Sequence, residues 1–105
     1  PPDPYAAEKA GDLAQIAAEN RLFANGEAIA IFVGPDCAGC EQAKAELQAL
    51  STELGHRIQV LDTTDADTAA MMARLTLDIL PSYVMPDRLI RGHMPDFILR
   101  RYLSN

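Results

Sequence analysis

The sequence predicts an α/β domain in which helices flank a central mixed sheet of four strands, in the order α-β-α-β-α-β-β-α. Three observations carry that reading. A six-residue apolar run, AIAIFV at 28–33, lies between Gly26 and Gly34-Pro35 and has the composition of a strand buried on both faces. Helix-spaced and strand-like segments alternate along the first two thirds of the chain, so the first two strands are joined by a helix and run parallel through a right-handed crossover. Near the C-terminus Pro86-Asp87 separates two short apolar runs, the signal of an antiparallel hairpin in the same sheet.

Each element follows from local chemistry. Residues 1–10 hold three prolines in their first four positions and are expected to form an irregular leader, with the folded domain spanning 11–105. Leu13, Ile16, Ala17 and Phe23 recur at helical spacing, and Ala24-Asn25-Gly26 supplies a stop, which predicts a helix over 12–25. After the strand at 28–33, Ala43, Leu47, Leu50 and Leu54 line one face of a helix ended by Gly55. RIQVLDT at 57–63 reads as a second strand, and Thr64 or Asp65 caps a short helix of strong formers. Pro81 opens a strand over 82–85, residues 89–91 return as its partner, and Pro95-Asp96 begins a closing helix that carries Phe97, Ile98 and Tyr102.

With 105 residues, 49% of them hydrophobic and 23% charged, the chain has the make-up of one globular domain with a real core. No apolar run approaches the ~20 residues of a membrane span, so no membrane insertion is expected. The net charge of −6 argues against a nucleic-acid partner held by bulk electrostatics. Arg88, Arg91, Arg100 and Arg101 crowd the C-terminal end and are read as a solvated surface. The chain starts Pro-Pro-Asp without methionine, which is read as a mature or trimmed form.

The two cysteines, Cys37 and Cys40, fall between the first strand and the helix after it. Placed at the first helical position, Cys37 would have its thiolate stabilised by unpaired amides and the helix dipole. It is therefore the candidate nucleophile. Cys40, three residues on, lies within reach of a disulfide. Such a bond closes a tiny loop and constrains the unfolded chain little, so it makes a poor staple and a good switch.

Other uses of the pair are weaker. A structural zinc site needs four ligands, and His56 and His93 are isolated surface or capping residues, so no metal is expected. Help from Met71, Met72, Met85 or Met94 would suit Cu(I), although methionines more often fill gaps in a core. The acids Asp62, Asp65 and Asp67 lack the glycine and distal glutamate of a calcium loop and are read as capping residues. Asp36 is expected to cap the helix and to oppose the Cys37 thiolate, while Glu41 is a solvent-facing first-turn acid. With Ala38 and Gly39, these residues are expected to modulate the pair.

At this point the chain resembles the thioredoxin superfamily over residues 12–103. CAGC follows a hydrophobic strand and precedes a helix, and ILPS places Pro81 at the start of the third strand, as in that family. The resemblance implies a thioredoxin-like fold, a cis bond before Pro81, and a backbone at Leu80 that pairs with a substrate strand. Gly92 falls where the family has a glycine before its last helix. Gly34-Pro35-Asp36 replaces the usual aromatic lead-in. Ile31 stands where cytosolic reductants carry a buried acid, so the Cys40 proton must leave through Glu41, water or another group. Ala38-Gly39 matches neither the reductant's Gly-Pro nor the strong oxidant's Pro-His, which implies an intermediate potential.

The expectation is thus a periplasmic thiol-disulfide oxidoreductase, a monomer without a cofactor. Its partners would be protein thiols or disulfides and a redox protein, such as a membrane electron or disulfide donor. The alternatives are a thioredoxin-like copper chaperone and an isomerase or reductase domain of a larger envelope system.

Overall fold

The computed structural model describes residues 2–104; Pro1 of the expected leader and Asn105 lie outside them. The elements are α1 (Ala6–Ala18), β1 (Glu27–Val33), α2 (Cys40–Leu54), β2 (Arg57–Asp62), α3 (Ala66–Arg74), β3 (Ser82–Met85), β4 (Arg88–Arg91) and α4 (Asp96–Leu103). Their order is the expected one. The strands form one sheet in the order β2-β1-β3-β4, with β2 parallel to β1 and the pairs β1/β3 and β3/β4 antiparallel.

The apolar run of β1 is explained by its place in the sheet interior. Its side chains alternate: Ile29, Ile31 and Val33 enter one core with Tyr83 and Met85 of β3, under α2 and α4. Ala30 and Phe32 enter the other with Val84, under Ile16 of α1 and Met71 and Met72 of α3. Strands covered on both faces lose the polar alternation of a half-exposed strand. The methionines at 71, 72 and 85 are buried core residues, the packing use expected of them.

α2 carries Ala43, Leu47 and Leu50 on its buried face and ends at Gly55, whose left-handed φ of 73° suits a residue without Cβ. The following amide, His56 N–H, donates to the Ser51 carbonyl at 3.0 Å.

The first helix departs from expectation. It starts at Ala6, so the boundary drawn between residues 10 and 11 falls inside it, and it stops at Ala18 rather than Asn25. At its start Asp3 accepts from the Tyr5 amide at 2.9 Å and from Lys9 Nζ at 2.7 Å, and Pro4 fixes the entering φ. At its end Glu19 turns inward to a two-pronged ion pair with Arg74, both contacts 2.8 Å. The chain then turns through Phe23 at φ 61° and Gly26 at φ 79°. Leu22, inside the helix expected over 12–25, is buried in these turns instead.

Candidate redox site at the end of the sheet

Register fixes which loops meet. Val33 pairs with Asp62, Phe32 with Ser82 and Ser82 with Arg91. The turns after β1, β2 and β4 and the one before β3 therefore share one end of the sheet. The cysteines, Pro81 and Gly92 all lie there.

Cys37 and Cys40 are joined by a disulfide, with Cα atoms 5.4 Å apart. The helical placement expected of Cys37 is corrected. α2 begins at Cys40, its N-cap is Gly39, and Cys37 sits in the preceding turn, its carbonyl accepting the Cys40 amide at 3.2 Å. Residues 37–40 form a separate i→i+3 turn ahead of the helix, and Asp36 before it has a left-handed φ of 57°, which short polar side chains tolerate better than most. Asp36 is exposed, and the cap position of α2 is Gly39 instead. The electrostatic argument survives in altered form. The Cys37 sulfur is bonded to the side chain of the first helical residue, and no side chain caps α2, so the sulfur still lies at the positive end of the helix.

The two sulfurs differ in access. Cys40 is only 3% exposed and belongs to the core between the sheet and α2, whereas Cys37 packs against that core and stays partly open. Ala38 is exposed, and a Cβ on Gly39 would meet nothing, so the intervening dipeptide is sterically free to vary. Glu41 faces solvent and pairs with Lys44 at 3.3 Å.

Behind Cys40 the structure is apolar. Ile31 is fully buried in the same core and pairs across the sheet with Tyr83. The Tyr83 hydroxyl accepts the Met94 amide at 3.3 Å, and burial pushes its pKa up, so it stays protonated at neutral pH. One polar group of this core is thus the hydroxyl of a tyrosine on β3, which the sequence pattern showed only as part of a strand.

The Leu80–Pro81 peptide bond is cis. The Pro81 carbonyl accepts the Gly92 amide at 3.0 Å, and Gly92 has a left-handed φ of 88°. Leu80 is half-buried, its side chain packed against both cores. The loop after Gly92 is anchored to α2 by His93 and Glu46 at 2.7 Å; this hydrogen bond holds the Glu46 carboxyl below its usual range. His56 is far from the cysteines, its Nε2 2.7 Å from the Leu103 carbonyl. Among the described residues no three His, Cys, Asp or Glu side chains are grouped to hold a metal. Gly34 and Thr63, next to Leu80, were missed in the sequence; their close approach has no one-dimensional signal.

No family model and no curated protein matches the sequence. Several solved structures are similar in fold, among them the following two. One is a mutant of a thioredoxin-like protein, with a TM-score of 0.56 and 19% identity, covering 73% of this chain and 99% of that one. The other is thioredoxin-2 of a malaria parasite, described as a component of its protein secretion machinery, with a TM-score of 0.55 and 17% identity, covering 72% of this chain and 79% of that one. At these identities the likeness shows the fold, and with the bridged CAGC motif it makes this chain a thioredoxin-fold protein whose cysteine pair points to redox chemistry.

Proposed function

We propose that the chain is a thiol-disulfide oxidoreductase acting on protein substrates through Cys37 and Cys40. The observation that carries this reading is the unequal access of two bonded sulfurs, one open and one sealed, at the N-terminus of a helix. In the reducing direction the Cys37 thiolate attacks a substrate disulfide, forming a Cys37–substrate bond and releasing one substrate thiolate. Cys40 loses its proton and attacks the Cys37 sulfur, which reforms the internal disulfide and releases the second thiolate. Two electrons pass from the pair to the substrate. The oxidising direction is the same sequence reversed: a substrate thiolate attacks Cys37 in the disulfide form, and Cys40 is the leaving thiolate.

The backbone at Leu80 and Pro81, just before β3 at the cysteine end of the sheet, offers the substrate a docking edge, a mode tolerant of substrate side chains. A periplasmic setting and a redox partner protein complete the reading, since both cysteines of the chain are used in the one pair. Equilibration with glutathione, read by mass spectrometry of the alkylated protein, tests it. A potential between about −270 and −120 mV, the range from reductant to strong oxidant, is expected. A pair that stays bridged or stays reduced at every glutathione ratio would contradict it.

A further inference from the structure

Gly34 lies where space, and not backbone conformation, demands glycine. A Cβ there would stand 2.2 Å from the Thr63 hydroxyl oxygen and 2.9 Å from Leu80 Cδ1. Thr63 is held in place because its amide donates to the Val33 carbonyl at 2.9 Å, prolonging the β1–β2 ladder past Asp62. Leu80 packs against both cores, and on its far side the Pro81 carbonyl is tied to Gly92. The segment 80–81 is thus gripped by its side chain at Gly34 and by its backbone at Gly92. Cys37, three residues beyond Gly34, packs on the same core as Leu80.

We propose that Gly34 is a positioning residue: its missing side chain lets Leu80 lie against the turn leading to Cys37, which sets the Leu80–Pro81 backbone at the height where a polypeptide disulfide is aligned with the sulfur. The inference rests on the exchange reading above and adds to it a residue that selects for polypeptide over small disulfides. A methyl group at position 34 would overlap the Thr63 hydroxyl, the nearest atom, and crowd Leu80 Cδ1; in this proposal the shift of Leu80 carries the segment that follows with it. Small disulfides reach Cys37 without that segment.

The test compares the reduced protein's second-order rates with insulin and with glutathione disulfide. Gly34→Ala is expected to slow the insulin reaction about tenfold, in line with the cost of misplacing a bound substrate, and to leave the glutathione disulfide rate within about twofold. In a Leu80→Ala background the added Gly34→Ala change should alter the insulin rate by less than about twofold, because the displaced side chain is gone. An unchanged insulin rate, an equal loss with both disulfides, or an undiminished loss in the Leu80→Ala background would overturn the proposal. Should Gly34→Ala not fold, Leu80→Ala alone must lower the ratio of insulin to glutathione disulfide rates, and Leu80→Met must restore it; a ratio that does not move overturns the proposal. A wild-type protein that exchanges with neither disulfide would bring down the exchange reading itself, whereas exchange with both that ignores Gly34→Ala removes the present proposal only.

Discussion

The two ends of the sheet are built on different rules. At the end away from the cysteines most turns follow local preference: Gly55 closes α2, Pro86 and Asp87 turn the hairpin, and His56 takes the carbonyl of Leu103 near the end of α4, with left-handed Phe23 the exception. That side of the molecule also holds two shallow cavities. One of about 380 Å³ is lined by Ala28, His56, Met85, Arg88 and Tyr102, and one of about 420 Å³ lies between α1 and the hairpin. At the cysteine end, Asp36 is left-handed, α2 has no side-chain cap, and Gly34 is pressed against Thr63 and Leu80. Left-handed residues and uncapped helices also occur elsewhere, so what sets the cysteine end apart is the close approach at Gly34 beside the cysteine pair.

The contrast is sharpest if each end is altered in turn. Cys37→Ser should abolish exchange with protein disulfides while the circular dichroism spectrum stays that of the wild type; retained exchange would move the nucleophile elsewhere. Phe32→Ala, in the fully buried strand between the two ends, should cost about 3–5 kcal/mol in urea unfolding, and a much smaller loss would mean that the core under α3 collapses to fill the gap.

A smaller effect is expected where Arg74 meets Glu19. The hydrogen-bonded guanidinium holds the Glu19 carboxyl below its ordinary 4.5, so the pair stabilises the fold fully above that pH and loses its effect as pH falls through the lowered value. Glu19→Gln should lower stability by about 1 kcal/mol near neutrality, discounted for the half-exposed arginine. The difference from wild type should shrink below pH 4.5, and a difference independent of pH would assign the effect to packing. Smallest of all, Arg88→Ala removes a guanidinium 4.0 Å above the Tyr102 ring at the far end. It should cost about 0.5–1 kcal/mol and leave the insulin exchange rate unchanged; a fall in that rate would blur the distinction between the two ends.

The sequence made the element order legible because β1 and α2 have patterns that only burial explains: an unbroken apolar strand and a helix with Ala43, Leu47, Leu50 and Leu54 on one stripe. The extent of α1 was not legible, since Phe23 continues the helical spacing yet lies, beside buried Leu22, in turns that follow the pairing of Glu19 with the distant Arg74. At the site, the cysteine pair and Pro81 stood out by residue type. The start of α2 did not, because Asp36 can serve as a cap or as a left-handed turn residue, and its neighbours in space decide which. Gly34 looked like the end of a strand, and only the fold brings Thr63 and Leu80 against it.

The central claim is that Cys37 meets the substrate and Cys40 resolves it. The most direct measurement is to mix Cys40→Ser protein with a disulfide-bonded polypeptide, quench with acid, and locate the covalent adduct by peptide mass spectrometry. The account predicts a stable mixed disulfide at Cys37. An adduct at Cys40 in the converse Cys37→Ser protein, with none in the Cys40→Ser protein, would contradict it.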